Sequence, residues 1–468
     1  MGPGPDPGVA AAATAHCGAF AGAWRRRCRA RLAAGKRRVV WLAVAPRGRV
    51  GIVCPALDPR RPAGGRAAPS PVLRWYGMTH PRPSLADLLT EVEALTPAAL
   101  DLTRRAVEVN SYTANIVGVN AVGALLGAAF DLPTLEQTRV AGTLYGDHLS
   151  WRTRAAGPRI LLVGHHDTVF PPGHFEGWSV QGERATGPGV LDMKGGLAVI
   201  WNAVAAFERL GLLEQLPIAI ISVADEEVGS PESRPHLCEL ARGASCGLVF
   251  EAGRAGDAIV TRRRGTGVLS VHFEGRAAHA GNAHAAGRNA LWAMARFIDA
   301  AQRMTDYARG STVNVGLARG GTSSNTVPAQ AECAVDLRFE RSADAEALLA
   351  ALSLAAQDAA RSVGATVSVS GGANRMPLDR SPASAALYAE YAACARAAGL
   401  GAVEHDLVGG GSDANTIATV GVPAIDGLGP RGEGFHTTSE WVDMTSFRPK
   451  AEALARFLWQ RLASQERA

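Results

Sequence analysis

The chain has 468 residues, of which 47% are hydrophobic and 19% are charged. This length exceeds what one ordinary hydrophobic core supports, so we expect roughly two to three domains. The composition is that of a globular protein, which excludes a disordered or fibrous chain, and no apolar run approaches the ~18 residues of a membrane-spanning helix.

The charge is unevenly distributed along the chain. The net charge is +5 at pH 7, but residues 1–77 contain fourteen Arg or Lys and only two acidic residues, which gives this segment +12 and leaves −7 for the remainder. An acidic body argues against nucleic acid as a partner, because phosphate binding requires a basic surface. We expect neither a nucleic acid nor a membrane partner.

The cysteines are scattered and form no C-x-x-C pair. Neither a disulfide framework nor a thiolate zinc site is therefore indicated. A reducing compartment is the default, so we expect a cytoplasmic protein, although the unusual first segment leaves export open.

The first segment, residues 1–77, contains no glutamate and is dominated by Ala, Arg, Gly and Pro. We expect little packed structure there. One hypothesis is a targeting sequence, because Lys36-Arg37-Arg38 precede a short apolar stretch at 39–44. A second is a basic arm that binds nucleic acid. The composition changes at Met78, which favours a third hypothesis, a start codon assigned too early.

From Met78 onwards the hydrophobic pattern predicts an α/β domain. Leucines from Leu85 to Leu95 follow helical spacing behind a Ser84 cap, and a second helix is predicted over 120–130. Apolar runs at 159–164, 216–224 and 247–250 alternate with a helical pattern over 195–210. This alternation is typical of a mostly parallel, doubly wound sheet.

A different order of elements follows between residues 265 and 375. The pattern predicts strand, helix, two strands, helix and strand, the βαββαβ order of a ferredoxin-like unit. A helix over 382–398 and a strand near 422–425 then return the chain to the first sheet. The predicted domains are a 1–77 extension, a catalytic domain of 78–264 and 376–468, and an inserted domain of 265–375.

Acidic residues and histidines follow the predicted strands of the α/β domain, where such sheets bind ligands. Carboxylates that converge without positive charge repel one another, so this sheet edge requires a cation. Imidazole and carboxylate together form a ligand set that zinc accepts. The residues concerned are His165, Asp167, Asp192, Glu226, Glu227, Glu251 and His436.

Some of these residues have alternative interpretations. His166 competes with His165 as a ligand, but adjacent side chains at a strand end point in opposite directions. Asp167 can accept the second imidazole N–H of His165 and fix its tautomer. Glu226 and Glu227 could instead form a solvated acidic turn.

Seven motifs, in order over residues 83–465, resemble the zinc exopeptidase family that contains glutamate carboxypeptidase, aminoacylase and succinyl-diaminopimelate desuccinylase. The likeness is strongest to the glutamate carboxypeptidases. The motifs are His165-x-Asp167-Thr168-Val169, Gly187-Pro188-Gly189-x-x-Asp192-x-Lys194-Gly195-Gly196, Asp225-Glu226-Glu227-x-Gly229-Ser230, Gly275-x-Ala277-x-His279-Ala280-Gly281, Ser324-Asn325-Thr326-Val327-Pro328, Gly409-Gly410-Gly411-Ser412-Asp413-Ala414 and Phe435-His436.

The resemblance implies two zinc ions per subunit, a general base and a homodimer. Glu226 would be the base, and His279 would reach the active site of the neighbouring subunit, although it could also merely cap the helix that follows. Asp192 would bridge the ions and Asp167 would orient His165. The implied ligand sets are His165, Asp192 and Glu251 for one ion and Asp192, Glu227 and His436 for the other.

The implied activity is hydrolysis of an amide bond in a small peptidyl or N-acyl amino acid. Glu251 stands where aminopeptidase relatives tend to have Asp, which favours a carboxypeptidase that releases a glutamate-like C-terminal residue. Asn325 and Arg375 are candidate ligands of the substrate carboxylate, since guanidinium matches it bidentately; Arg375 could equally form an interdomain salt bridge. Arg262-Arg263-Arg264 form a solvated strand end or contact substrate. The alternatives are an N-acyl-amino-acid deacylase and an inactive binding protein.

Overall fold

The computed structural model describes residues 41–45, 49–53 and 82–465. It divides into two units, Met1–Arg82 and Pro83–Ala468. In the first unit, strand β1 (Trp41–Ala45) pairs antiparallel with β2 (Arg49–Val53). The predictions for the remainder of residues 1–77, including the early start codon, lie outside the described residues.

The helices of the second unit cover the predicted positions and add others. The first begins at a capping box: the Ser84 side chain accepts from the backbone N–H of Asp87, and the Asp87 carboxylate accepts from that of Ser84. The helices are α1 (Leu85–Val107), α2 (Ile116–Ala129), α3 (Gly195–Arg209), α4 (Arg234–Ala241), α5 (Ala290–Gln302), α6 (Ser342–Val363), α7 (Pro382–Ala397), α8 (Asp413–Thr419) and α9 (Phe447–Gln465).

The strands of the second unit form a main sheet, an inserted sheet and two smaller sheets. They are β3 (Glu136–Val140), β4 (His148–Arg152), β5 (Ile160–His165), β6 (Ser179–Gln181), β7 (Arg184–Thr186), β8 (Ile218–Val223), β9 (Cys246–Val249), β10 (Gly265–Glu274), β11 (Ala278–His279), β12 (Thr312–Gly320), β13 (Thr326–Val327), β14 (Gln330–Phe339), β15 (Thr366–Arg375), β16 (Ala424–Ile425), β17 (Gly432–Glu433) and β18 (Trp441–Asp443).

The main sheet has the strand order β16-β9-β5-β8-β4-β3. The first four strands are parallel, whereas β4 and β3 are antiparallel to their neighbours. The predicted mostly parallel α/β sheet is confirmed, and the antiparallel edge is an addition. The polar sequence of β3, most of it exposed, gave no strand signal.

Helices cover both faces of the main sheet, because successive residues of its buried strands point to opposite sides. Ile160 and Leu162 of β5 lie in the hydrophobic core shared with α1, α3, α7 and α9. Leu161 and Val163 lie in a second core with α4 and α8. A sheet covered in this way leaves the carboxyl ends of its strands open for a site.

Helix α3 is a long apolar helix of the core. Residues 190–209 are long and apolar enough to cross a membrane by length and composition, which the sequence reading did not recognise. In the folded protein 89% of this window is buried. Helix α3 packs against α1 and α9, so its apolar sequence is explained by its place in the core.

The inserted sheet has the order β12-β14-β10-β15, with every neighbouring pair antiparallel. This is the predicted βαββαβ unit. Leu269, Val271 and Phe273 of β10 pack against α5 and α6 on one face of the sheet. The chain enters and leaves side by side, because Arg263 and Leu378 exchange two backbone hydrogen bonds.

Candidate metal centre

Five candidate ligands converge at the carboxyl edge of the main sheet. His165 ends β5, Glu227 follows β8, and Glu251 lies two residues after β9. Asp192 comes from the turn before α3, and its peptide bond to the next residue is cis. His436 comes from the loop between β17 and β18.

Asp192 lies between the two histidines. Its Oδ1 is 3.2 Å from Nε2 of His165, and its Oδ2 is 3.3 Å from Nε2 of His436. The two oxygens of one carboxylate therefore face two different imidazoles. This is the arrangement that a bridging ligand between two metal ions requires.

The remaining ligands complete two groups around Asp192. Glu251 Oε2 lies 3.7 Å from His165 Nε2, and Glu227 Oε2 lies 3.1 Å from His436 Nε2. Potential ligand atoms of His165, Asp192 and Glu227 lie within 4.8 Å of one another, as do those of His165, Glu226 and Glu251. Glu226 is thus adjacent to the ligands.

Asp167 holds His165 in place from behind. Its Oδ1 is 3.3 Å from His165 Nδ1, and its carboxylate accepts from the Thr113 hydroxyl at 2.8 Å. It also accepts from the backbone N–H groups of Glu226 and Glu227, each at 3.2 Å. Burial would raise the pKa of Asp167, but the hydrogen bond and charge of His165 keep it below its usual range. One carboxylate thereby orients both a ligand histidine and the turn that carries Glu226.

His166 points away from the ligands, as the alternation of side chains at a strand end requires. Its Nδ1 lies 2.8 Å from the Ser222 hydroxyl, and the ring is fully buried. Burial lowers the pKa of His166 to about 3. A neutral, buried ring on the opposite side does not compete with His165.

The three glutamates of this centre have raised pKa values when no metal ion is bound, whereas the pKa of Asp192, which burial would raise, is lowered well below its usual value by His165 and His436. Burial raises the pKa of Glu226 to about 8, against the opposing charge of Arg375. Burial and Asp192 raise the pKa of Glu227 to about 8 and that of Glu251 to about 7. Such a cluster requires positive charge to ionise, so the donor set fits divalent metal ions.

The ligand histidines are polarised by the same carboxylates. Hydrogen bonds to Asp192 and Glu227 raise the pKa of His436 to about 10. Burial lowers the pKa of His165, but Glu251, Asp167 and Asp192 raise it well above its usual value. Each imidazole therefore carries a proton that a metal ion would replace.

His436 has an unusual backbone conformation. Its φ is 63°, in the left-handed region that few residues other than glycine adopt. The turn is closed by hydrogen bonds from the Thr437 backbone N–H and hydroxyl to the Gly434 carbonyl. Strained residues cluster at functional sites, which supports a ligand role for His436.

Arg375 lies at the end of β15, beside the ligand cluster. Its guanidinium donates to Asp413 at 2.7 Å, to Glu226 at 2.9 Å and to the Ser230 hydroxyl at 2.9 Å. The side chain is buried. In this structure Arg375 thus forms a salt bridge between the insert and the main sheet, and its donors are directed at protein groups.

His279 and Asn325 lie together at the far end of the insert. His279 Nδ1 accepts from the backbone N–H groups of Gly281 and Asn282, and the Ala280 backbone N–H donates to the Asn325 carbonyl. The next helix is capped by Asn289, so His279 is not its cap. The ten-residue strand β10 separates this end from Arg375 by about 30 Å. Within the described chain, neither residue contacts the ligand cluster.

The chain matches Peptidase family M20/M25/M40 over residues 161–460. It belongs to this peptidase family. The protein is therefore a hydrolase of a metal-dependent family, and the resemblance drawn from the seven motifs is confirmed.

Two relatives and one solved structure are similar to this M20 peptidase. The chain is 30% identical to carboxypeptidase G2 from Pseudomonas sp. (strain RS-16), over 77% of its own length and 89% of the relative. It is 32% identical to succinyl-diaminopimelate desuccinylase from Methylobacterium nodulans, over 52% and 67% of the two chains. The fold matches that of a dinuclear metal-binding M20 peptidase from Bacillus subtilis with a TM-score of 0.57 at 16% identity, over 80% and 99% of the chains.

Glu440 is a site residue of the M20 peptidase that sequence reasoning missed. Glu440 is fully buried, and its carboxylate accepts from the backbone N–H groups of Gly189, Leu191 and Asp192 at 3.1, 2.8 and 3.0 Å. Burial raises the pKa of Glu440 to about 7 against these hydrogen bonds. The sequence shows a glutamate four positions after His436, but this position does not indicate a contact with Asp192.

Proposed function

We propose that this M20 peptidase is a two-zinc carboxypeptidase that releases a glutamate-like C-terminal residue from peptidyl or N-acyl substrates. The observation that supports it best is the Asp192 carboxylate, whose two oxygens face His165 and His436. In this proposal one ion is held by His165, Asp192 and Glu251 and the other by Asp192, Glu227 and His436. When bound, such ions lower the pKa of water to about 7 and polarise a carbonyl oxygen.

Glu226 is the proposed general base. It lies beside the ligands but is bonded to Arg375 and to no proposed ligand side chain. A carboxylate in this position can take a proton from the attacking water and return it to the departing amine. Arg375 holds the carboxylate in position through Oε1, which leaves Oε2 for the proton.

The substrate carboxylate is the proposed ligand of Asn325 and Arg375. Arg375 already lies beside Glu226, and it would have to exchange a protein contact for the substrate. Asn325 would reach the centre only after the insert moves towards the main sheet, as in enzymes that close over substrate. Closure would also exclude water from the site.

A homodimer would place His279 in the neighbouring active site. The insert leaves β12 as an edge strand, and most of its residues are exposed, including Leu317. An unpaired edge of this kind is a ready surface for a second chain. His279 uses only Nδ1 in its own turn, so Nε2 is available to hydrogen-bond the oxyanion in the partner site.

An N-acyl-amino-acid deacylase is the second candidate function. It is favoured by the likeness to succinyl-diaminopimelate desuccinylase, whose name describes removal of an acyl group. The ligand set and Glu226 would serve both reactions equally, because each cleaves an amide bond. The likeness to carboxypeptidase G2 extends over more of the chain, which supports the carboxypeptidase as the first candidate.

A hydrolysis screen tests the proposal. Zinc-loaded protein is incubated with two series of dipeptides and N-acyl amino acids. One series shares an acyl group and differs in the C-terminal residue, and the other shares a C-terminal glutamate and differs in the acyl group. A carboxypeptidase is expected to prefer acidic C-terminal residues and to accept varied acyl groups; a deacylase would select the acyl group instead. The Glu226→Gln variant is the background control, and equal rates for it and the wild type would refute the proposal.

A further inference from the structure

Arg254 lies at the rim of the ligand cluster. It follows the ligand Glu251 by three residues, and its guanidinium carbon is 5.3 Å from the centre of the Phe435 ring. Phe435 in turn meets the ring of His436 edge-on, with 5.6 Å between the ring centres. A cation therefore stands beside the loop that presents His436.

The guanidinium of Arg254 contacts the Phe435 ring but has no hydrogen-bond or salt-bridge partner in the described part of the chain. Its side chain is partly buried, and its Nε is fully buried without a hydrogen bond. The nearby carboxylate of Asp426 accepts from Arg263 at 2.7 Å and from the Ser412 hydroxyl. Burying a cation without a counter-ion costs free energy. We therefore expect the guanidinium to bind a group from outside the protein.

The surroundings of Arg254 favour an anion as that group. Burial and the charge of Arg263 lower the pKa of Arg254, whereas Asp426, Glu251 and Asp192 raise it. Asp426 is already paired with Arg263, and the other two are proposed metal ligands. Bound metal ions would neutralise them and leave Arg254 without a balancing charge.

The other arginines near the centre are occupied. Arg375 donates to Asp413 and Glu226, and Arg263 donates to Asp426 and to the Gly410 carbonyl. Arg254 is stacked on an aromatic ring, which leaves the edge of its guanidinium free to donate. Such a fork matches a carboxylate with two parallel hydrogen bonds.

We propose that Arg254 is a specificity-determining residue that binds a carboxylate of the substrate. This rests on the proposed release of a glutamate-like residue and names the group that would select its acidic side chain. An acidic C-terminal amino acid has two carboxylates. Arg254 binds one of them, and the groups on the insert bind the other when the insert closes. A substrate with a neutral amide in place of the side-chain carboxylate would lose the charged hydrogen bonds to Arg254.

Matched substrates and variants test this assignment. The kcat/KM of the zinc-loaded protein is measured for the same acyl group on glutamate and on glutamine, at constant ionic strength. Wild type is expected to prefer glutamate, and Arg254→Gln to reduce kcat/KM for glutamate by about 10- to 100-fold while changing that for glutamine less than about threefold. Arg254→Lys should retain part of the preference, because it keeps the charge without the fork.

Arg184→Gln is the matched control. Arg184 also stacks on an aromatic ring, that of Trp441, with its guanidinium carbon 3.9 Å from the ring centre, and it lies on an exposed strand. This variant should keep the wild-type preference. An Arg254→Gln protein that keeps the preference for glutamate would overturn the assignment. Equal losses of kcat/KM for both substrates, together with reduced zinc content, would also overturn it. That result would show that Arg254 only supports Phe435 and His436.

A binding measurement separates this inference from the proposed function. If zinc-loaded wild type hydrolyses neither substrate, the proposed function fails, and calorimetric binding of free glutamate and glutamine then decides the role of Arg254. Tighter binding of glutamate that is lost in Arg254→Gln supports a carboxylate site. Equal binding of the two amino acids by wild type contradicts it.

Discussion

The carboxylate of Glu440 accepts a hydrogen bond of 3.0 Å from the backbone N–H of Asp192, 248 positions earlier in the chain. Two further backbone donors from the same turn, those of Gly189 and Leu191, meet this carboxylate. The loop that carries His436 and Glu440 therefore fixes the turn that presents the bridging ligand. Because ligand orientation depends on such supporting bonds, Glu440 is as much a part of the centre as the residues that face the metal.

Replacing Glu440 with alanine should weaken both the fold and the centre. Three buried N–H groups would lose their acceptor, so we expect a loss of about 2–4 kcal/mol in the free energy of unfolding and a 10- to 100-fold loss of zinc affinity. Urea unfolding and zinc titration measure the two effects. Glu433→Ala, an exposed glutamate in the same loop region, should change neither. Normal zinc affinity in Glu440→Ala would contradict the positioning role.

Glu226→Gln tests the general base. The amide keeps the size of the side chain and a hydrogen-bond acceptor for Arg375, but it cannot take a proton. We expect kcat to fall by about 10²- to 10⁴-fold with zinc content unchanged. Steady-state kinetics and elemental analysis of the same preparation measure both quantities, and near-normal turnover in a zinc-replete variant would exclude Glu226 as the base.

Asp192→Ala tests the bridge. Because one oxygen of Asp192 faces each histidine, its loss should lower metal occupancy at both positions rather than at one. Elemental analysis of protein dialysed against limiting zinc gives the occupancy. Asp131→Ala, an exposed aspartate at the end of α2, is the control. Retention of two zinc ions by Asp192→Ala would show that the carboxylate does not bridge.

Zinc binding should release protons and should strengthen as pH rises. The pKa of Glu227 is about 8 and that of His436 about 10 in the metal-free protein, above their usual values. Raised pKa values stabilise the metal-free fold at low pH, and this stability is lost as pH rises through 8 and then 10. Zinc binding reverses this dependence of stability on pH, because the zinc ligands must be deprotonated.

The proton release can be measured directly. Titration of metal-free protein with zinc in weak buffer at pH 7 should liberate at least about one proton per chain. The gain in melting temperature on adding zinc should increase between pH 6 and 8. A gain that stays constant or shrinks over this range would contradict the assignment of protonated ligands.

Subunit exchange tests whether His279 acts in the neighbouring site. His279→Ala and Glu226→Gln are each expected to be inactive. In a mixed dimer, the site of the His279→Ala subunit has its own Glu226 and receives His279 from the partner. Equal mixing should restore up to about one quarter of wild-type activity, since half the dimers are mixed and each has one complete site. No recovery after verified exchange would restrict His279 to its own chain.

The sequence predicted the buried parallel strands and most of the long helices, because these elements have distinct hydrophobic patterns. The strand ending at His165 and the βαββαβ insert were found in this way. The buried strand β4 and helix α9 were not predicted. Strand β3 was missed because most of its residues are exposed and polar. Helix α8, only seven residues long, likewise gave no periodic signal.

The candidate ligands could be predicted because each stands at the end of an apolar run or within a family motif. The supporting contacts could not. Glu440 and Asp192 are far apart in sequence, and no local pattern links them. The contacts of Arg375 with Asp413, Glu226 and Ser230 depend in the same way on how the insert meets the main sheet.

Two strands cross the junction side by side at Arg263 and Leu378, and Arg263 also pairs with Val408 of the main domain. Paired strands resist stretching and shear but bend more readily across their width. We therefore expect the insert to swing about this junction as a hinge. Displacement in a swing grows with distance from the pivot. Arg375 lies next to the pivot and would hardly move, whereas Asn325, about 30 Å away along β10, would travel furthest. The junction thereby separates a fixed part of the active site from a part that arrives with closure.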